Sequence, residues 1–216
     1  MQDGDTAWAK SILAAGQQLP KPRPEPMIRL SQLKAAAAYM NAKGYRFSDD
    51  DEGVKRLDAL RYYLKGYSIG LIGSVGTGKT MFFDCVPRRP IRFSLLDYIT
   101  ESLDDIRQVF KNYEKDDIVI DDIGSEPVFN HYGDRFDILP IIINWRERLP
   151  NVRTHFTSNH TGEEIYQRYG ERIEDRLYMA KIFTFGGASL RRPTPVTNHQ
   201  SLITSYQSLI TNHQSL

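Results

Sequence analysis

Gly73-Ser74-Val75-Gly76-Thr77-Gly78-Lys79-Thr80 has the spacing GxxxxGK[ST], a set of residue types suited to holding a polyphosphate. The glycines accept backbone angles that turn successive N–H groups inward around an anion. A helix that starts at the end of this loop aims its positive end at the same place. Lys79 can reach β- and γ-phosphates, and the Thr80 hydroxyl suits Mg²⁺. The bland alternative is a glycine-rich turn between a strand and a helix with no ligand. The pattern arises by chance in a chain of this length on the order of once in a hundred, and here an apolar strand candidate precedes it.

A second carboxylate-bearing run is Asp117-Ile118-Val119-Ile120-Asp121-Asp122. An apolar strand ending in Asp places a metal-organising group beside a phosphate loop. Asp121 would hold Mg²⁺, mostly through water, because that ion dehydrates reluctantly. Asp122 or Glu126 would orient or deprotonate an attacking water. Alone, such a strand end reads equally well as a turn or a helix cap. Thr157-Ser158-Asn159 closes a later strand, where a polar side chain could meet a terminal phosphate or the water. Gly170 to Leu177 (GERIEDRL) opens a helix with Arg172 and Arg176 four apart, hence on one face. By themselves these two sites have plain readings. Asn159 could cap backbone, and Arg176 could pair on the surface with Glu171 or Asp175.

The elements that must position these residues follow from periodicity. From Tyr67 onward, β-rich runs at 67–73, 90–94, 117–121, 152–157 and 181–185 alternate with helical stretches at 97–113, 136–147, 162–168 and 171–179. This alternation predicts an α/β fold, a P-loop NTPase with a five-stranded parallel sheet flanked by helices. Pro87 and Pro90 predict that the helix after Lys79 is short. Before Tyr67 the chain predicts a small helical region. Thr6 caps a helix over 7–15, a Pro-rich linker covers 19–26, and Ser31 caps a helix that runs through Lys43 and stops at Gly44. A further helix begins after Asp49–Glu52 and ends at Gly66, with Val54, Leu57, Leu60 and Leu64 on one face. The acidic run suits the positive end of that helix and is read that way rather than as a metal site. The expected organisation is a helical N-terminal region with linker over 1–48, the ATPase core over 49–192 and a repeat tail over 193–216.

The strings GSVGTGKT, IVIDDIGSE, TSN, GERIEDRL and GASLRR, in this order over roughly Tyr67 to Arg192, resemble the AAA+ ATPases. The likeness is to the DnaC/IstB-like branch of helicase loaders and transposition helper ATPases. The GERIEDRL string soon after TSN is its most specific part. The resemblance implies an AAA+ core that binds and hydrolyses ATP with Mg²⁺. Asn159 would be the sensor 1 residue, Arg176 an arginine finger inserted into a neighbouring subunit, and Arg191 the sensor 2 arginine in preference to Arg192. It also implies a homo-oligomer whose partner is a replicative helicase or, for a transposition helper, a transposase; DNA contact would need the oligomer to line up weak sites such as Arg88-Arg89-Arg92 and Arg191-Arg192. A nucleotide-dependent scaffold that hardly hydrolyses ATP is a third reading, and a small-molecule kinase a weaker fourth. Three departures stand out: Asp122 where the family often has Glu, no helical lid after Arg192, and no cysteine-rich zinc module.

Composition bounds the rest. The 216 residues are 40% hydrophobic and 25% charged, with a formal net charge of +1, which argues against a disordered chain. Residues 1–66 carry 11 basic and 8 acidic side chains, and residues 67–192 carry 17 and 19, so neither part is a strong polyanion binder. No apolar run approaches the ~20 residues of a membrane span, and the N-terminus lacks the order of a secretory signal. The single cysteine, Cys85, excludes an internal disulfide. A cytoplasmic protein is the expectation. The tail repeats NHQSLIT with a period of seven and no charge. A seven-base DNA repeat read through three frames gives such a peptide, so the tail is read as translated repeat DNA and no function is placed in it.

Overall fold

The computed structural model describes residues 26–98, 103–131, 134–177 and 179–187; at 103, 129–131 and 134–136 it describes the backbone alone. The expected helix over 7–15, most of the 19–26 linker, Arg191, Arg192 and the repeat tail lie outside those residues.

Helix α1 spans Leu30–Ala42. Ser31 does not cap it. The cap is Arg29, two residues earlier, and Gln32 Oε1 accepts the Arg29 N–H at 2.8 Å. Gly44, at φ 92°, ends it as expected. Helix α2 spans Asp51–Leu64, and its cap is Asp50, whose carboxylate accepts the Gly53 N–H at 2.9 Å. Asp51 and Glu52 occupy its first turn, where negative charge is favourable.

The remaining elements, besides a 3-10 turn at Leu95–Tyr98, are β1 (Ile69–Ile72), α3 (Lys79–Cys85), β2 (Ile91–Ser94), α4 (Leu103–Asn112), β3 (Ile118–Ile123), β4 (Phe129–His131), β5 (Asp134–Phe136), α5 (Ile138–Arg146), β6 (Thr154–Ser158), α6 (Gly162–Tyr169), α7 (Glu171–Leu177) and β7 (Lys181–Thr184). Five strands form one parallel sheet in the order β2-β3-β6-β1-β7. All five predicted strands are in it. Helix α3 is short, as the prolines require. A two-stranded antiparallel hairpin, β4–β5, was not predicted.

Helices cover both faces of the sheet. Leu33, Met40, Leu57, Leu60 and Phe82 from α1 to α3 pack with Ile69, Leu71 and Val119 on one side. Ile106, Phe110, Leu139, Ile142, Ile165 and Leu177 from α4 to α7 pack with Ile118, Ile120 and Phe156 on the other. Val119 and its neighbours Ile118 and Ile120 face opposite ways because side chains alternate along a strand. Helix α1 thus shares the sheet's core and is not set apart from it.

The amino ends of the strands are closed by charge. Asp117 takes a 2.6 Å ion pair and two further hydrogen bonds from Arg153. Buried Arg146 donates to the carbonyls of Tyr113, Asp116 and Arg153. His155 of β6 is fully buried between the rings of Tyr63 and Phe83, and its Nδ1 accepts the Ile69 N–H at 3.0 Å. With parallel strands, the carboxyl ends of β1, β3 and β6 are left to converge at the opposite edge, which is where open α/β sheets bind ligands. Among the described residues no helix is long and apolar enough to cross a membrane.

Candidate functional site

The loop between β1 and α3 turns through Gly73, Gly76 and Gly78 at φ 139°, 87° and 89°. A Cβ on Gly73 would sit 2.0 Å from the Phe185 carbonyl, so backbone crowding as well as φ requires glycine there. The Gly73 N–H is bonded to the Ser158 carbonyl at 3.1 Å, which ties the loop to the end of β6. Thr77 is buried and its hydroxyl donates to the Ser74 carbonyl at 2.9 Å.

Lys79 folds back over this loop. Its Nζ donates to Gly73 O at 2.6 Å, Ser74 O at 2.9 Å and Asn159 Oδ1 at 2.8 Å. Burial lowers its pKa, and the Asp122 and Asp121 carboxylates oppose that shift without reversing it. Thr80 Oγ1 donates to Asp121 Oδ1 at 2.9 Å, and Thr157 Oγ1 donates to the same oxygen at 2.6 Å. Asn159 Nδ2 donates to Asp122 Oδ1. The phosphate loop, the end of β3 and the end of β6 are therefore one hydrogen-bonded unit. β6 lies between β1 and β3 in the sheet, so Asn159, the residue after its end, meets both Lys79, at the end of the loop that follows β1, and Asp122 of β3.

These groups line a cleft of about 570 Å³ that includes Val75, Gly76, Gly78, Lys79, Thr80, Asp84, Asp121, Asp122, Thr157 and Asn159. That volume is within the range of ligand pockets. The donor set fits a nucleotide phosphate chain. A hydroxyl and one carboxylate fit a Mg²⁺ ion that takes its other ligands from water and phosphate. Among the described residues no cluster of three or more His, Cys, Asp or Glu could hold a metal by itself.

Other predicted residues fall elsewhere. Glu126 is 2% exposed and does not line the cleft. Its carboxylate accepts the Gly124 N–H at 2.8 Å and the Tyr169 hydroxyl, and it lies 3.7 Å from Arg168. A carboxylate so committed is held as a structural anchor, so Asp122 is the acidic group the structure brings beside Asn159. Burial, and then the Glu126 carboxylate, push the Tyr169 phenol far above its ordinary range. Arg176 lies on α7 outside the cleft. Its Nε pairs with Glu147 Oε2 at 2.9 Å, and not with Glu171 or Asp175. Its Nη1 is buried without a hydrogen-bond partner among the described residues. Arg191 lies beyond the described residues.

Two arginines were not anticipated. Arg56 of α2 is 2% exposed and donates to the carbonyls of Thr77 in the phosphate loop and Gly186 after β7, at 3.4 and 3.2 Å. Arg168 of α6 donates to the carbonyls of Gly124 and Glu126. Their acceptors are backbone carbonyls distant in sequence, a kind of partner that leaves no trace in residue pattern.

No protein-family model matches the chain, and no curated protein matches it in sequence. Solved structures do. A candidate primosome component from Streptococcus pyogenes serotype M3 is 17% identical over 74% of this chain and 82% of its own, with a TM-score of 0.41. AMPPCP-bound DnaA from Aquifex aeolicus is 16% identical over 75% of this chain and 62% of its own, with a TM-score of 0.48. A DNA replication initiation factor is 17% identical over 60% of this chain and 44% of its own, with a TM-score of 0.42. The chain thus spans less than two thirds of the latter two proteins. The α/β fold, with its parallel five-stranded sheet and phosphate loop at the carboxyl edge, is that of a P-loop NTPase.

Proposed function

We propose that the chain is an AAA+ ATPase of DNA replication that works as a DnaC-like helicase loader in the cytoplasm, as a homo-oligomer. The observation that carries the ATPase reading is the unit formed by Lys79, Asn159 and Asp122, with Thr80 and Asp121 beside it. Three sequence strings far apart in the chain supply one polyphosphate-sized cleft. ATP would lie in the loop 73–80, and Mg²⁺ would be held by Thr80 and Asp121 and would neutralise developing phosphate charge.

The chain's own groups divide the remaining work. Lys79 offers a cationic Nζ whose carbonyl and amide acceptors a phosphate oxygen can replace. Asn159 holds Lys79 through Oδ1 and Asp122 through Nδ2, so it registers both. Asp122 Oδ1 is taken by that bond, and Oδ2 is the oxygen to orient a water. Arg176 would act on the nucleotide of a neighbouring copy. The loader assignment rests on GERIEDRL following TSN, and on arginine-finger chemistry requiring an oligomer.

One alternative has support of its own. Arg176 is engaged by Glu147 within its own subunit, and Asp122 is shorter than a Glu would be, which both favour a scaffold that binds ATP and hydrolyses it slowly.

The deciding experiment is binding of a fluorescent ATP analogue to wild type and Lys79→Ala, followed by affinity purification of both from the native host. Loss of analogue binding in Lys79→Ala is expected, with a replicative helicase recovered by wild type. Equal analogue affinity refutes the phosphate site. Recovery of a transposase in place of a helicase refutes the loader and supports the helper.

A further inference from the structure

Asp122 has a backbone φ of 59°. That left-handed region is uncommon for a non-glycine residue, although aspartate enters it more readily than most. The reason is local. Ile120 of β3 pairs with Phe156 and Ile123 pairs with Ser158, so β3 carries one residue more than β6 across Asp121 and Asp122. Such a bulge re-aims side chains. On the β6 side it is fastened by the Asp122 N–H donating to Thr157 Oγ1 and by Ser158 Oγ donating to the Ile123 carbonyl, both at 2.8 Å.

On the other side the fastening comes from α6. Arg168 Nη1 donates to the Gly124 carbonyl at 2.5 Å. Its Nη2 donates to the Glu126 carbonyl at 2.5 Å and to Asp137 Oδ1 at 3.0 Å. Glu126 closes the same turn from within by accepting the Gly124 N–H, and Tyr169 holds Glu126 in turn. Asp137 is the residue immediately before α5. One guanidinium therefore joins the end of β3, the start of α5 and the helix that carries it.

We propose that Arg168 is a positioning residue of the hydrolytic site. It fixes the Gly124–Glu126 turn and so keeps Asp122 left-handed, with its carboxylate on Asn159. The proposal rests on reading Asp122 as the group that orients water. A lysine at 168 keeps the charge and has three donors, but they radiate from one nitrogen, whereas Arg168 reaches the Gly124 carbonyl from Nη1 and the Glu126 and Asp137 oxygens from Nη2.

The test uses the full chain with Arg168→Met and Arg168→Lys, read by amide hydrogen exchange and by steady-state ATPase. In Arg168→Met the amides of Asp122, Gly124 and Ser125 should exchange at least tenfold faster, while Ile118 to Ile120 keep their protection. The ATPase kcat should fall tenfold or more with KM within twofold, and Arg168→Lys should fall between. Unchanged exchange at 122–125 overturns the proposal. So does a loss of protection spread evenly through the sheet in both variants, or an unchanged kcat. Failure of the underlying reading shows separately, as equal rates for wild type and Lys79→Ala, and the exchange result then still decides the role of Arg168.

Discussion

Asn159 Oδ1 accepts a hydrogen bond from Lys79 Nζ at 2.8 Å, although the two residues stand 80 apart in sequence. The same amide's Nδ2 donates to Asp122. One neutral side chain thus touches the cation of the phosphate loop and the acid of the neighbouring strand. An amide can do this because it carries an acceptor and a donor on one plane.

Asn159→Ala removes that link and leaves Lys79 with the Gly73 and Ser74 carbonyls. ATP-analogue affinity should change by no more than a few-fold. Hydrolysis should fall by about 10²-fold, the usual scale for removing one preorganised polar group from a reacting centre. Single-turnover and equilibrium binding measurements separate the two. A parallel loss of affinity would show that Asn159 serves binding alone.

Asp121 receives hydroxyl hydrogen bonds from Thr80 and Thr157 on one oxygen. Asp121→Asn should weaken Mg²⁺-dependent binding by about tenfold or more, because the amide has lost the negative charge that a hard cation prefers. Nucleotide affinity measured with EDTA should stay as in wild type. An equal drop with and without Mg²⁺ would move Asp121 from the metal to the phosphate chain or to folding.

Much of this was legible before the structure because the chemistry is local. GSVGTGKT is contiguous, and the strands around it are short apolar runs bounded by turn residues. What escaped the sequence is non-local. Arg56, Arg146 and Arg168 look like ordinary surface arginines in one dimension, yet each satisfies carbonyls that only folding brings together. The β4 and β5 strands are three residues each, too short to show alternation. Glu126 was a candidate base by its place after Asp122, and Tyr169, 43 residues later, is what turns it inward. Ser31 was expected as a cap, but Gln32 from within the first turn takes the Arg29 N–H instead.

Arg176 and Glu147 form an ion pair whose side chains are 17% and 37% exposed. A neighbouring subunit's nucleotide has to displace Glu147 before Arg176 can act on it. Arg176→Ala should retain ATP binding and lose hydrolysis by about 10³-fold. Glu147→Gln should release Arg176 and lower the protein concentration at which ATPase per subunit reaches half its maximum. A rate for Arg176→Ala equal to wild type at every concentration would exclude Arg176 as a finger in trans.

His155 makes folding sensitive to mild acid. Burial, with Arg153 adding to it and Asp117 opposing it, lowers its pKa from the ordinary 6.5 to about 3. The unfolded chain therefore takes up a proton here below about pH 6.5, while the folded chain refuses it until about pH 3. More protons bound in the unfolded state means stability that rises with pH, so it is lost as pH falls through that window, by up to ~1.4 kcal/mol per pH unit. Asp117 acts lower down. Burial raises its pKa, but the hydrogen bonds from Arg153 outweigh that and leave it below the ordinary value. Its stabilising contribution is fully present above about pH 4 and is lost only as pH falls further. Between pH 7 and 5 the fall in melting temperature should therefore trace to His155. His155→Gln, which keeps an acceptor for the Ile69 N–H, should start less stable and show a flatter profile. A wild-type melting temperature that is the same at pH 7 and pH 5 would contradict a neutral, sealed imidazole between Tyr63 and Phe83.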